Sequence, residues 1–283
     1  MIKRMYILSW FGNSDVSDYR RKVHAIQVQW AFDKGFEVIV QPQQYKPDDY
    51  IDGVIYLDEP KELLAPGPGR NLLFKHFYES DEDMAIFADN DGLLSDYGIG
   101  ETFFEDMNKN FDRYRNVDFF IPANPAITHA YGEIKHNEEY KKFHIFSRKM
   151  VDVKGTFFVL RNLKKYYDIE IYNDPFFDYD ENGLIIGEDT EFCINVIKHG
   201  FGVYLLKNVI LKEFGGYKKS CWTSNYANRR LSEQKAMEYT AKKYNIPLKK
   251  NGKFNTMRFM NEHFQRPKKL MINIGDTDHE FFE

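Results

Sequence analysis

The chain has 283 residues, of which 43% are hydrophobic and 17% aromatic, and its formal net charge is −4. This composition predicts a folded globular protein and excludes disordered and low-complexity chains. Two cysteines are too few for a disulfide framework and favour a reducing compartment. No apolar stretch approaches the about 20 residues that span a bilayer. We therefore expect a cytoplasmic protein with one large domain, or one domain with an extension.

The first elements alternate between strands and a helix. We predict strands over Met5–Phe11, Phe36–Val40 and Gly53–Leu57, and a helix over Tyr19–Lys34 that is closed by Gly35. An alternation of strand, helix and strand is typical of α/β proteins that contain a parallel sheet.

A turn, a helix and an acidic strand end come next. Pro66–Asn71 is predicted as a rigid turn that opens a helix to about Tyr78. The apolar run in Met84–Asp91 is predicted as a buried strand that ends in Asp89 and Asp91. Two carboxylates at this spacing can reach one hard cation. The alternative is an Asp-Gly turn that closes an ordinary strand. One face of the helix carries Leu73, Phe74, Phe77 and Tyr78.

The second half continues the alternation of helices and strands. We predict helices over Thr102–Tyr114, Arg161–Tyr167 and Ala227–Tyr244, and extended segments over Val117–Pro122, Val151–Leu160, Val203–Leu206 and Val209–Phe214. Residues 124–149 have no clear period. A further helix opens at Gly187–Glu191, places Cys193, Val196 and Ile197 inward, and stops at His199-Gly200.

Two more acidic clusters are candidates for chemistry, and each has an alternative reading. Asp178 and Asp180 lie in an acidic loop over Asp174–Gly183, which nearly matches a calcium-binding EF-hand loop. Against that reading, its twelfth position is Asp189 instead of the longer glutamate, and a proline breaks any entering helix. Glu188 and Asp189 open the next helix, where a capping carboxylate is as well placed as a catalytic one.

Taken together, these segments resemble GT-A glycosyltransferases of the family-2 type. Gly67–Asn71, the following helix and Ile86–Asp91 are similar to that family's GxxxRN-helix-DxD region. Phe176–Asp178 and Gly187–Phe192 resemble its GGFDE motif and GED helix. The motifs occur in the expected order over roughly residues 5–215. The resemblance implies an α/β GT-A (Rossmann-like) fold, with a mixed, mainly parallel sheet flanked by helices, in a catalytic domain over residues 1–216.

The same resemblance implies a metal-dependent sugar transferase. The donor is implied to be a nucleotide-sugar, with a UDP-sugar as the first expectation, bound through Mn²⁺ or Mg²⁺. Asp91 is implied as the main metal ligand, and Asp89 lies near the metal or the donor's ribose. A divalent ion fits this chemistry because it neutralises the charge of the departing nucleoside diphosphate. The histidine that often follows the GED helix as a further ligand is missing, and Glu213 is the nearest candidate.

The remaining site residues follow from the resemblance too. Trp10, Arg70 and Asn71 are implied as donor-binding residues together with Asp89, with Arg70 near the nucleotide or diphosphate. Asp189 is implied as the general base that deprotonates the acceptor hydroxyl, and Glu188 is the alternative. The family's aspartate after the second strand, which holds the nucleobase, is replaced here by Gln41–Gln44.

Residues 217–283 are predicted as a basic, aromatic-rich extension that binds the acceptor. Between Lys207 and Leu270 there are sixteen Lys and Arg against four Asp and Glu, a local charge of +12, which leaves −16 for the rest of the chain. Basic side chains contact phosphates and aromatic rings stack on exposed bases. The alternative is a solvated helix face with ordinary core aromatics. The basic positions include Lys218-Lys219, Arg229-Arg230, Lys242-Lys243, Lys249-Lys250 and Lys253.

If the acceptor is DNA, the chain resembles the sugar transferases of T-even-like bacteriophages, which glycosylate 5-hydroxymethylcytosine. Such an enzyme acts in the host cytoplasm and must flip the modified base out of the duplex. Two alternatives stay open. A lipopolysaccharide or capsule transferase would place the basic extension on anionic lipid. A nucleic-acid-binding protein on a GT-A scaffold would have no catalytic activity.

Overall fold

A computed structural model gives the structure of the protein. It describes residues 2–12, 17–90, 92–94, 119–122, 145–147, 157–173, 203–206, 211–213, 238–246, 271–274 and 277–280, with positions 188, 191, 192, 195, 196, 199 and 235. Asp91, Asp189, the predicted helix Thr102–Tyr114 and the predicted loop Asp174–Gly183, and with it most of the proposed calcium loop, lie outside these residues. Within them, no helix combines the length and the apolar character needed to cross a bilayer.

The chain begins with the predicted strand, helix and strand. The first elements are β1 (Arg4–Ser9), α1 (Ser17–Asp33), β2 (Glu37–Pro42), a 3-10 turn (Pro47–Asp49) and the short β3 (Ile55–Tyr56). Gly35 follows α1 with a φ of +78°, a left-handed conformation that glycine adopts without strain. β1 ends two residues before the predicted boundary, so Trp10 and Phe11 lie beyond the strand.

The prediction of a separate turn over Pro66–Asn71 is wrong, because α2 already begins at Pro66 and runs to Tyr78. Prolines are tolerated in a first helical turn, where their missing N–H would have no partner and their fixed φ suits the helix. The predicted apolar face is confirmed: Leu73, Phe74, Phe77 and Tyr78 are all buried.

The remaining elements are short. They are β4 (Met84–Asp89), β5 (Gly92–Leu94), β6 (Phe119–Pro122), β7 (Ile145–Ser147), β8 (Phe157–Arg161), α3 (Leu163–Tyr167), β9 (Val203–Leu206), β10 (Leu211–Glu213), β11 (Met271–Ile274) and β12 (Thr277–Glu280). β11 and β12 pair antiparallel, so the acidic end of the chain contributes a strand to a hairpin.

Eight strands form one sheet in the order β3-β2-β1-β4-β8-β6-β9-β7. β1 runs parallel to β2 and β4, β2 to β3, and β6 to β9. β8 runs antiparallel to β4 and β6, and β7 antiparallel to β9. Six strands of this sheet therefore point one way and two the other. This confirms the predicted α/β class with a mixed, mainly parallel sheet flanked by helices.

The central strands are buried on both faces, as expected when helices cover a parallel sheet on each side. Tyr6, Leu8 and Ile39 face the apolar side of α2 and share one core cluster with it. Their sequence neighbours Ile7 and Val40, on the opposite face, are fully buried too. The core also takes in part of the predicted extension, because Ala241, Tyr244 and Ile246 belong to the same cluster. The predicted boundary at residue 216 stays a prediction.

Candidate functional site

Three neighbouring parallel strands end at one edge of the sheet. β1 ends at Ser9, which lies beside Pro42 at the end of β2, and Leu8 lies beside Asp89 at the end of β4. In open α/β sheets, ligands bind outside the carboxyl ends of the strands. This edge is therefore the candidate site.

Arg70 joins two of the predicted site residues at this edge. Its Nη2 donates to Oδ1 of Asp89 at 2.8 Å, and its Nη1 donates to Oε1 of Glu188 at 2.9 Å. The side chain of Glu188 is 9% exposed, whereas that of Asp89 is 32% exposed. The Arg70–Glu188 pair is thus shielded from water, and the Asp89 carboxylate still reaches solvent. Three residues that the sequence resemblance placed in the site lie together.

The helix that carries Glu188 contacts α2 at two positions that are one helical turn apart. Positions 188, 191, 192, 195 and 196 are helical, as predicted, and Val196 is fully buried. One turn after the Arg70–Glu188 contact, Phe192 stacks on Phe74 with ring centroids 4.8 Å apart. Phe74 follows Arg70 by four residues, and Phe192 follows Glu188 by four residues. Residues at this spacing are neighbours on one face of a helix. α2 therefore sets the position of Glu188 relative to the sheet.

Two glycines let the start of α2 come this close to its neighbours. A Cβ on Gly67 would lie 3.3 Å from the Cβ atoms of Asn173 and of Glu188. A Cβ on Gly69 would lie 2.8 Å from Cδ1 of Leu8, which is closer than real Cβ contacts come. The glycines at these positions are therefore explained by packing around Arg70.

Asn71 holds a neighbouring segment through its side chain. Its Nδ2 donates to the Asn173 carbonyl at 2.9 Å, and the Asn173 N–H donates back to its Oδ1 at 2.8 Å. The Asn173 side chain donates to the Gly67 carbonyl at 3.4 Å, and its buried Oδ1 has no hydrogen-bond partner in the part of the chain that the structure describes. Asn71 thus frames the site. Its predicted contact with the donor stays a prediction.

Asn90, between the two predicted aspartates, is a residue that the sequence reasoning missed. It is 2% exposed, and its Nδ2 donates to Ser9 Oγ and to the Trp10 carbonyl, each at 3.1 Å. The Trp10 carbonyl also accepts from Nη1 of Arg20 at 3.1 Å. Asn90 therefore ties the residue after β4 to the end of β1, and the Trp10 backbone lies at this edge. The predicted contact of Trp10 with the donor stays a prediction.

α1 contributes buried polar groups beneath this edge. Gln27 is fully buried, and its Nε2 donates to the carbonyl of Asp89 at 2.8 Å. His24 lies 3.5 Å from Oε1 of Gln27 and 3.4 Å from the hydroxyl of Tyr45, which donates to Ser9. Burial lowers the pKa of His24 to about 4, although the Gln27 contact acts in the opposite direction. The imidazole is therefore neutral at pH 7 and serves as a hydrogen-bonding group.

Gln41 and Gln43 stand where the resembled family has an aspartate, and both bind the protein's own backbone. Nε2 of Gln41 donates to the Asp58 carbonyl at 3.1 Å, and Oε1 of Gln43 accepts from the Leu64 N–H at 2.6 Å. Both side chains are buried and fasten the segment before α2 to β2. Gln41 Oε1 and Gln43 Nε2 have no hydrogen-bond partner in the described part of the chain.

The predicted metal ligands are placed in part. Asp91 lies outside the described residues and follows Asn90, the first residue after β4, in the sequence. The backbone of Glu213 in β10 pairs with that of Gly92 in β5, so the third predicted ligand belongs to a strand beside the Asp-X-Asp segment. The described residues contain no group of three His, Cys, Asp or Glu side chains that could hold a metal.

No family model matches the chain, and no curated protein matches it in sequence. Among solved structures, it is similar to GalNAc-T7 with UDP, GalNAc and Mn²⁺, with a TM-score of 0.47, 10% identity, and coverage of 75% of this chain and 43% of that chain. It is also similar to UDP-glucose pyrophosphorylase complexed with UDP-glucose, with a TM-score of 0.42, 12% identity, and coverage of 73% and 91%. The chain thus spans less than half the length of the first of these.

Proposed function

We propose that the chain is a metal-dependent glycosyltransferase that moves a sugar from a nucleotide-sugar donor, a UDP-sugar first, to an acceptor hydroxyl. The observation that supports this proposal is the bridge made by Arg70 between Asp89, at the carboxyl end of β4, and Glu188, which is 118 positions away from Arg70 in sequence. The bridge brings the two acidic motifs of the sequence to one sheet edge, where α/β folds bind ligands.

The charges at this edge favour a divalent cation. Arg70 contacts the carboxylates of both Asp89 and Glu188, and the Arg20 guanidinium lies at the same edge, on the Trp10 carbonyl. Asp91 and Glu213, the latter from the strand paired beside Gly92, would add two more carboxylates. Carboxylate oxygens are the ligands that Mg²⁺ and Mn²⁺ prefer. When bound, the ion would stabilise the negative charge of the leaving nucleoside diphosphate.

The protein's own residues would then orient the donor and remove a proton. Glu188 is held by Arg70, which suits a positioning role, and we propose Asp189 as the base that accepts the proton of the acceptor hydroxyl. Arg70 and Asn71 define the first turns of α2 beside the donor. Trp10, whose backbone is fixed by Asn90, would border the donor at the end of β1.

We propose hydroxymethylated DNA as the acceptor. What supports this is the charge of +12 between Lys207 and Leu270 together with the aromatic residues among the basic ones. Lys243 is excluded from this contact surface in our proposal, because its Nζ binds the buried Glu191 at 2.9 Å.

Donor hydrolysis tests the catalytic proposal. We expect the purified chain with Mn²⁺ or Mg²⁺ to hydrolyse at least one member of a panel of nucleotide-sugars, and Asp91→Asn to remove both this activity and Mn²⁺ binding by calorimetry. Asp52→Asn, which changes an exposed turn residue, is the matched control and should retain both. No hydrolysis across the panel, or an unchanged Asp91→Asn, would contradict the proposal.

Labelled-sugar transfer tests the acceptor. We expect transfer to hydroxymethylated duplex DNA in preference to unmodified DNA and to vesicles of anionic lipid, with binding that weakens as salt rises. Neutralising Lys249, Lys250 and Lys253 should weaken DNA binding. Neutralising the exposed Lys22, Lys61 and Lys75, in the N-terminal third of the chain, should not. Transfer to lipid alone would select the lipopolysaccharide or capsule alternative.

A further inference from the structure

Glu191 is a fully buried carboxylate one turn after Glu188. Its Oε1 accepts from Nζ of Lys243 at 2.9 Å and from the hydroxyl of Tyr244. Burial and the Glu191 carboxylate raise the pKa of Tyr244, so its hydroxyl stays protonated and donates. Glu191, Lys243 and Tyr244 form what we name the C-terminal clamp.

The clamp joins the C-terminal segment to the helix that carries Glu188. Ala241, Tyr244 and Ile246 are each at most 6% exposed and lie in one core cluster with Phe192 and Val196. Residues 238–246 therefore pack on this helix through apolar contacts as well as through the clamp.

The buried carboxylate of Glu191 is not explained by a contribution to stability alone. Removing a carboxylate from water is costly, and well-packed apolar side chains of similar size often stabilise a core equally well or better. A hydrogen bond weakens steeply as its distance and donor angle depart from the preferred values, so the two bonds to Glu191 add a directional restraint to the apolar packing. The clamp is therefore suited to fixing a position.

The clamp acts on a side of the helix that α2 does not hold. With 3.6 residues per turn, Glu191 lies about 60° around the helix from Glu188 and about 100° from Phe192. Glu188 and Phe192 both contact α2, through Arg70 and Phe74. Asn195 of the same helix also donates to the Tyr172 carbonyl at 3.4 Å, so these contacts span about 60° of the helix surface. The clamp extends them by about 40° and so further limits rotation about the helix axis.

We propose that Glu191 is a positioning residue, and that the C-terminal clamp holds Glu188 in register with Arg70 and Asp89. This inference rests on the proposed glycosyltransferase activity for its catalytic readout. It places a determinant of turnover in the C-terminal region, although none of the three clamp residues belongs to the proposed donor-binding set.

Single substitutions measure the effect on turnover. Using the UDP-sugar that the wild type hydrolyses fastest among UDP-glucose, UDP-galactose and UDP-N-acetylglucosamine, we expect Lys243→Met and Tyr244→Phe to lower kcat about tenfold or more, because small displacements of reacting groups are costly. The KM for the donor should change less than about twofold, since ground-state donor contacts remain. Lys243→Arg should restore much of kcat. Lys22→Met removes the same charge from an exposed position of α1, outside the acceptor-binding extension, and should match the wild type.

An apolar clamp separates positioning from stability. The triple variant Glu191→Leu/Lys243→Leu/Tyr244→Phe replaces the clamp by apolar side chains. We expect its thermal midpoint to lie within a few degrees of the wild type, while its kcat stays as low as that of Lys243→Met. The positioning role is refuted if kcat returns to the wild-type value together with the thermal midpoint. It is also refuted if Lys22→Met lowers kcat as much as Lys243→Met does.

Hydrogen exchange keeps the inference testable even if the wild type hydrolyses no donor. In Lys243→Met/Tyr244→Phe, we expect faster exchange in the peptide spanning residues 188–196 and unchanged exchange in the β2 peptide over residues 37–42. Unchanged exchange at 188–196 would overturn the clamp whether or not the proposed function holds. Faster exchange with an inactive wild type would support the clamp and contradict the proposed function.

Discussion

Replacing Arg70 with methionine should destabilise the fold strongly. The Glu188 side chain is 9% exposed and would lose its 2.9 Å contact with Arg70, so a buried charge would be left without that partner. Breaking such a buried pair costs about 3 to 5 kcal/mol, whereas the Asp89 contact, with Asp89 32% exposed, adds no more than about 1 kcal/mol. We therefore expect a loss of about 4 kcal/mol in the free energy of unfolding.

A second substitution tests the reason for this loss. In Arg70→Met/Glu188→Met both charges are gone, and we expect the double variant to recover to within about 2 kcal/mol of the wild type. The control Lys164→Met removes the ion pair between Lys164 and Glu170, whose side chains are 42% and 35% exposed. This exposed pair should leave the unfolding midpoint unchanged.

Urea unfolding followed by circular dichroism at pH 7 measures all three variants. With a slope of at least about 3 kcal/mol per molar urea for a chain of this size, the single variant should shift the midpoint by about 1 M. The reasoning is refuted if Arg70→Met costs less than about 1 kcal/mol, or if adding Glu188→Met recovers none of the loss.

Three further predictions concern pH and packing. The pKa of His24 is lowered by burial to about 4, so its contribution to stability is present above its unfolded value near 6.5 and is lost as the pH falls towards 4. The wild type should lose about 2 kcal/mol between pH 7 and 4.5 relative to His24→Gln in urea unfolding, and an equal loss in both would contradict this. Burial raises the pKa of Asp83, but hydrogen bonds from Tyr166 and Lys165 lower it to about 2. The stability that Asp83 contributes, about 1 kcal/mol after solvent screening, should thus disappear as the pH falls from 4 to 2, and an Asp83→Asn cost that is constant with pH would argue against it. Gly69→Ala should lower the thermal midpoint by the equivalent of about 1 kcal/mol, because the clash of its Cβ with Cδ1 of Leu8 at 2.8 Å outweighs the gain of alanine's helix propensity; a midpoint equal to or above that of the wild type would show that the Leu8 side chain adjusts freely.

The parts of the fold that the sequence predicted well are governed by neighbours in the chain. The apolar run that forms β4, the helix that Gly35 terminates and the buried face of α2 each depend on residues within a few positions of one another. The start of α2 was missed because alternating proline and glycine favour a turn locally. In the structure the segment is helical and packs closely, with Gly69 against Leu8 and Gly67 against Asn173, which are contacts distant in sequence.

The candidate site was predicted as a set of motifs, but its contacts were not. Arg70 was expected near the donor, and its contact with Glu188 joins residues 118 positions apart. Gln27 lies within the predicted helix and was given no role, and its contact with the Asp89 carbonyl joins residues 62 positions apart. Such contacts follow from the order of strands in the sheet, which no local pattern in the sequence encodes.

The paired amides of Asn71 and Asn173 have a consequence for how the site responds to its surroundings. Both groups are neutral at every pH at which the chain is folded, and their reciprocal bonds connect α2 to the segment beside Glu188. Asp89, Arg70 and Glu188 carry the charge. The Asn71–Asn173 bonds therefore do not depend on protonation, so this part of the frame should persist when a proton or a cation changes the charge beside it.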